Sequence, residues 1–220
     1  LSEASGILGE MQRKFLQRVA TNVNRLGLML DDLIQITELD TGHLSFTPAP
    51  VNIPNLIEDM ITNTALHFRE KGLSVNLSVQ DNIPDIEADR DAVEQVMMQL
   101  LNNAFLVSPP NSQIGIRASK RQASLNGDDK TDCVLITIED KGGGIQDEDI
   151  PRVFARKYKA KNPLIAGLGD TGVGLSVAKA LIEAQNGRLW VESRSNVGSS
   201  FSFVLPIHAM PMPKVIIDES

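Results

Sequence analysis

Val134-Leu135-Ile136-Thr137-Ile138-Glu139-Asp140-Lys141-Gly142-Gly143-Gly144-Ile145 changes character at Asp140. Before it, Val134, Ile136 and Ile138 alternate with their neighbours, the period of a strand with one buried face. After it come three consecutive glycines. A carboxylate at a strand end beside glycines can accept a hydrogen bond from an exocyclic amine while the backbone approaches a flat base. A second glycine-rich stretch, Gly167-Leu168-Gly169-Asp170-Thr171-Gly172-Val173-Gly174-Leu175, opens a helical run to Ala184 that Gly187 closes. Glycines before a helix N-terminus let main-chain N–H groups face phosphate oxygens, aided by the helix dipole. A third stretch, Gln99-Leu100-Leu101-Asn102-Asn103-Ala104, falls inside a helical pattern, where a side-chain amide offers a hard oxygen that suits Mg2+. Each signal alone is weak: Asp140 with its glycines reads equally as a tight turn, 167–174 as a surface loop, and the asparagines as surface residues. All three in one order, each on the right kind of element, point to a nucleotide site.

Outward from these motifs, Asp89 to Leu106 reads as a helix with Val93, Val96, Met97, Leu100 and Leu101 inward. Asn52 has the character of an N-cap, with Pro54 in the first turn of a helix whose apolar face is Leu56, Ile57, Met60, Ile61 and Phe68, stopped by Gly72. Leu73, Val75, Leu77 and Val79 alternate as a strand, and a short strand follows near Ile86 and Ala88. Ile114, Ile116 and Ala118 make another, joined to the 134–138 strand through the polar stretch Gln122 to Asp132, read as an exposed hairpin loop. Two final strands, Arg188–Ser193 and Ser200–Leu205, meet through Asn196 to Gly198. Upstream, Val19, Val23, Leu26, Leu30 and Leu33 are spaced 4, 3, 4, 3, the a/d seam of a long helix over 11–40. From Gln12 to Leu39 such a helix spans roughly 40 Å at ~1.5 Å per residue and needs a partner to bury its stripe. Gly42 ends it, and Pro48 and Pro50 mark an extended linker. The expected division is 1–42 helix, 43–52 linker, 53–206 domain and 207–220 tail. The expected fold is α+β, a two-layer sandwich of one sheet under helices, preceded by a long N-terminal helix.

Bulk properties narrow the function. The 220 residues are 42% hydrophobic, enough for a real core, and the net charge of −7 argues against nucleic acid as the main partner. Cys133 is the only cysteine, so no internal disulfide can form and a reducing, cytoplasmic setting is expected. No apolar run reaches the ~18–20 residues of a membrane span, so no membrane contact is expected from this stretch. The start at Leu1 leads to the expectation of a fragment whose anchoring segments lie upstream. GxxxxGK followed by Ser or Thr is absent, which excludes a P-loop, and no GxGxxG follows a first strand, which excludes a Rossmann fold.

From about Asn52 to Pro206 the chain resembles the catalytic domain of sensor histidine kinases, in the ATPase superfamily that includes DNA gyrase and the heat-shock chaperones. The motifs quoted are similar to its N, G1 and G2 boxes. Ile150-Pro151-Arg152-Val153-Phe154, followed by Arg156, Tyr158 and Lys159, resembles its F box. The ending Gly187-Arg188-Leu189-Trp190-Val191-Glu192-Ser193 and Gly198-Ser199-Ser200-Phe201 is also similar. The resemblance implies a Bergerat-type ATP-binding fold with ATP and Mg2+. It implies that Asn103, with Gln99, holds the metal. Asp140 binds the adenine amine, together with Gly142, Gly144 and Ile145. Gly169, Thr171, Gly172, Val173, Gly174, Leu175 and Ser200 complete the nucleotide site, and Tyr158 and Lys159 contact the γ-phosphate as catalytic residues. Residues 11–42 look like the second helix of the dimerisation and phosphotransfer hairpin, implying a homodimer, a phosphoacceptor-histidine helix upstream and a response-regulator receiver domain as partner.

The family's H box is missing. His43, His67 and His208 follow a helix end, sit within a helix and lie in the tail, so the chain is expected to bind ATP and ADP without phosphorylating itself in cis. Gln99 stands where the hydrolysing relatives carry a glutamate base, which favours phosphoryl transfer over hydrolysis. Leu106 replaces Lys or His, Val107 replaces Tyr, Lys157 replaces Phe, and Lys159 replaces Arg with a point charge that lacks the bidentate fork. These departures leave two alternatives beside the kinase: a degenerate nucleotide-binding scaffold and an ATPase of the gyrase or chaperone type. Pro213 to Glu219 slightly resembles the first strand of a receiver domain, against the plainer reading of a polar terminus.

Overall fold

A computed structural model of the chain describes residues 45–125, 130–155 and 173–208, with Gly9, 11–13, 15–16, 18–19, 23, 27, 34, 37 and 41 upstream. Its elements run β1 (Ala49–Val51), α1 (Ile53–Glu70), β2 (Ser74–Val79), β3 (Ile86–Ala88), α2 (Arg90–Val107), β4 (Gln113–Ser124), β5 (Lys130–Asp140), a single 3-10 turn (Ile150–Arg152), α3 (Gly174–Ala184), β6 (Arg188–Arg194) and β7 (Gly198–Pro206). Five strands form one sheet in the order β2-β4-β5-β7-β6, with β2 parallel to β4 and the other pairs antiparallel. Ile114, Ile116, Val134, Ile136, Ile138, Phe201, Phe203 and Leu205 alternate onto one face. There they share a core with Leu56 and Ile57 of α1, Val96, Leu100 and Leu101 of α2, and Val177, Leu181 and Ile182 of α3. Burying those apolar stripes against one sheet face makes the two-layer α/β sandwich.

Local chemistry sets the element ends. Asn52 caps α1 by accepting the Asn55 N–H at 3.0 Å, and its own amide donates to Asp85 Oδ1 at 2.8 Å. Asp89 caps α2 through the Ala92 N–H at 2.9 Å; its other oxygen accepts from the Thr47 N–H at 2.8 Å. Gly72 takes φ +69° after α1. At the end of α3, Asn186 rather than Gly187 adopts the left-handed conformation (φ 59°). The Gly187 N–H donates to Ile182 O at 2.9 Å and the Asn186 N–H to Glu183 O at 3.0 Å, a Schellman cap. Gly187 is needed instead because a Cβ would run into the Val204 carbonyl.

Three differences from the sequence reading have physical causes. The hairpin loop is much shorter than 122–132: β4 continues to Ser124 and β5 begins at Lys130, with Gln122 opposite Asp132. Asp132 takes hydrogen bonds from Lys120 (2.8 Å) and Gln122 (3.0 Å), so these polar side chains stabilise strand ends. Within 43–52, read as linker, Ala49–Val51 is a strand that pairs antiparallel with β3. In β2, Leu77 is 41% exposed because this strand lies at the sheet edge. Of the expected N-terminal helix, the described positions from Met11 to Thr37 are helical, and Val19 and Val23 are exposed; Leu26, Leu30 and Leu33 lie outside the described residues. Among the described residues no helix is long and apolar enough to cross a membrane.

Candidate nucleotide site

Asp140 ends β5 on the same sheet face as Ile138 and is only 4% exposed. Its Oδ1 accepts the Gly142 N–H at 2.8 Å, closing a tight turn, and the carboxylate also accepts the Ser199 backbone N–H. Burial pushes its pKa from the ordinary 3.8 up to about 6; the two N–H groups pull the other way, and neighbouring Glu139 adds to the rise. A carboxylate held at this cost in a buried position is a common mark of a functional site.

The glycines around it are required by contacts. A Cβ on Gly142 would meet Val107 Cγ2 at 2.7 Å and Asp140 Oδ1 at 2.9 Å. The end of α2 therefore lies directly against this turn. Gly144 has φ +66° and passes against the Arg194 carbonyl in the β6–β7 turn. Three bonds hold this neighbourhood: Asn196 N–H to Gly143 O at 2.7 Å, Ile145 N–H to Ser193 Oγ at 2.8 Å, and Gln146 Nε2 to Ser195 Oγ at 2.9 Å.

On α2, Gln99 and Asn103 are one turn apart, and Gln99 Nε2 donates to Asn103 Oδ1 at 3.3 Å. The amide of Gln99 also lies where a Cβ on Gly174 would be. The start of α3 thus packs onto Gln99. The Gln99 amide nitrogen faces the Asn103 carbonyl oxygen. Among the described residues no cluster of three His, Cys, Asp or Glu side chains could hold an ion.

Phe154 of the expected F box packs edge-on against Phe201 of β7, ring centroids 6.4 Å apart, with Lys179 Nζ 5.6 Å from its ring centre. The described residues thus bring Gln99, Asn103 and Gly174 together, and separately Asp140, Gly142, Gly144 and Ile145 in the turn after β5, with Val107 of α2 against that turn. Tyr158, Lys159, Gly169, Thr171 and Gly172 lie outside the described residues. Ser200 joins neither group. It pairs with Glu139 and Glu192 on the opposite sheet face, whereas Ser199 pairs with Asp140. The alternation of Phe201 and Phe203 as inward residues already carries this signal, since position 199 shares their face and position 200 does not. Val107 and Ser193 are further neighbours that the motifs did not single out.

Comparison with known proteins agrees with this fold. The family model for histidine kinase-, DNA gyrase B- and HSP90-like ATPases matches residues 88–209. The sensor histidine kinase WalK of Bacillus subtilis is 24% identical over 206 residues, 94% of this chain and 32% of that protein. Full-length ShkA in complex with AMPPNP superposes with a TM-score of 0.73 at 21% identity, covering 94% of this chain and 41% of that one. Histidine kinase ThkA in complex with the response regulator TrrA gives 0.68 at 20% identity, covering 92% and 53%. Those structural likenesses speak for the fold. The chain belongs to the histidine kinase-, DNA gyrase B- and HSP90-like ATPase family. Within it, this chain is similar to the catalytic part of the sensor histidine kinases it matches. It spans between about a quarter and about half of the length of the curated relatives it matches.

Proposed function

We propose that this core transfers the γ-phosphoryl group of ATP to a histidine on a helix upstream of residues 1–220, for relay to a response-regulator aspartate. The observation that carries the reading is Asp140, a buried carboxylate at a strand end beside a turn that only glycine fits. Adenine brings an exocyclic amine that would satisfy the carboxylate, and the missing Cβ at Gly142 lets the turn beside it close against Val107. Asn103 would hold Mg2+, which supplies charge neutralisation of the triphosphate; Gln99 orients the Asn103 amide. Main-chain N–H groups at the start of α3, near Gly174, favour phosphate. Tyr158 and Lys159 are the proposed γ-phosphate contacts, with Gly169, Thr171 and Gly172 shaping the loop around the phosphates.

In the reaction the bond from the γ-phosphorus to the β–γ bridging oxygen breaks, a P–N bond forms on the imidazole, and ADP leaves. Gln99 cannot take a proton from water, which supports transfer over hydrolysis. The relatives' names support a two-component kinase, and the ThkA–TrrA complex supports a receiver domain as partner. Residues 1–42 are proposed as the dimerising helix, 43–52 as linker, 53–206 as the catalytic domain and 207–220 as tail, in a cytoplasmic protein.

The test mixes this chain with a separate H-box helical hairpin and ATP. Acid-labile phosphate on the hairpin's histidine is the expected result. ADP binding without any phosphohistidine would replace the kinase with a nucleotide-binding scaffold. Steady turnover of ATP without the hairpin would favour the ATPase.

A further inference from the structure

We infer that Ser193 is a specificity-determining residue: it commits the hydroxyl proton of Ser199, so that the wall beside Asp140 offers only hydrogen-bond acceptors to the base. This rests on the adenine site proposed above.

A serine hydroxyl has one hydrogen and two lone pairs. Ser193 Oγ has three neighbours: the Ile145 N–H at 2.8 Å, the Gly198 carbonyl at 3.0 Å and Ser199 Oγ at 2.9 Å. The Ile145 N–H can only donate, so it occupies one lone pair. The Gly198 carbonyl can only accept, so it takes the single Ser193 hydrogen. What remains on Ser193 is one lone pair, and Ser199 must donate to it. The Ser199 proton therefore points at Ser193, and its own lone pairs are left for other partners. Ser199 is 6% exposed and sits directly across the strand pair from Asp140.

An ionised Asp140 accepts and does not donate. The two side chains together present lone pairs alone. A ligand meeting this wall, directly or through one water, must bring donors. A base with an amino group at its six position does so; a base with a carbonyl there sets acceptor against acceptor and leaves buried groups unpaired. Rejection of hypoxanthine and guanine then depends on Ser199 being unable to turn its proton outward. Ser193 controls that without touching the ligand, which makes it a positioning residue.

The test is calorimetric titration of the whole chain with ADP and with inosine diphosphate, which carries the carbonyl, for the parent, Ser193→Ala and Ser193→Thr. The parent is expected to prefer ADP. In Ser193→Ala the Ser199 hydroxyl is released to donate, and the ADP-to-inosine-diphosphate preference should fall about tenfold, the worth of one hydrogen bond made or missed. Ser193→Thr keeps the hydroxyl and should keep the preference, a rescue that a purely structural role does not predict for selectivity. An unchanged preference in folded Ser193→Ala overturns the inference. Should Ser193→Ala fail to fold, Ser199→Ala removes the acceptor itself, and an unchanged preference there is equally fatal. A folded parent that binds neither nucleotide refutes the adenine site instead, and is seen before any variant is made.

Discussion

Asp140→Asn should make the ligand-free protein more stable while weakening its affinity for ADP. The carboxylate is pushed up to about 6 chiefly by burial. Its folded-state pKa thus lies above the ordinary 3.8, so between those values the folded chain holds a proton that the unfolded chain has lost. Stability is fully present below about pH 4 and falls as pH rises through 6, where the folded protein must carry the buried charge. The rise of about two pH units corresponds to about 3 kcal/mol at neutral pH, at ~1.36 kcal/mol per unit. Asparagine is neutral, and its oxygen can still accept the Gly142 N–H. Recovering most of that energy would raise the melting temperature by about 5–10 °C for a domain of this size. Binding should move the other way. Losing a charge-assisted hydrogen bond to the amine weakens ADP by roughly ten- to a hundredfold. Thermal melts of parent and variant at pH 7.5 and pH 4.5, beside ADP titrations, provide the assay. The melting gap should be wide at pH 7.5 and about a third as wide at pH 4.5, where the unfolded carboxylate is still mostly ionised, and should close only below about pH 3.5. Asp132, held low mainly by its hydrogen bond from Lys120, titrates in the opposite sense in both proteins and cancels in the difference. A variant that melts below the parent at pH 7.5 would refute the claim that the carboxylate is strained by burial.

Other expectations follow from particular contacts. Gly174→Ala drives a methyl group into the Gln99 amide and should cost about 1–3 kcal/mol, with partial relief when Gln99→Ala is added, as double-mutant melts will reveal. Lys71→Met removes the ammonium that donates to the Phe105 and Leu106 carbonyls at 2.6 and 3.1 Å, and should lower stability by about 1–2 kcal/mol by denaturant titration. Asn103→Ala should make ADP affinity the same in Mg2+ as in EDTA while leaving metal-free binding near the parent's. Arg117→Ala breaks only a surface pair with Glu139 and should change stability by less than about 1 kcal/mol.

Much of this protein is legible in its sequence because the signals are local. Period-two and period-3.6 apolar spacing marked the β4 and β5 cores and the helices α1 and α2, since burial on one face imposes those periods. Asn52 announced a helix start, because a cap is made within three residues. Asp140 with its glycines, and the amides of α2, could be singled out from their order on strand and helix. What the chain could not declare locally was decided by contacts between distant segments. The pairing of β1 with β3, the persistence of β4 and β5 through a polar stretch, and the edge exposure of Leu77 depend on neighbours far away in sequence. The glycine requirement at 142 comes from Val107, at 144 from Arg194, and at 174 from Gln99. The choice of Ser199 over Ser200 follows from which sheet face the helices cover. The raised pKa of Asp140 exists only once folding has taken it out of water, because desolvation is a property of the packed site and not of the residue.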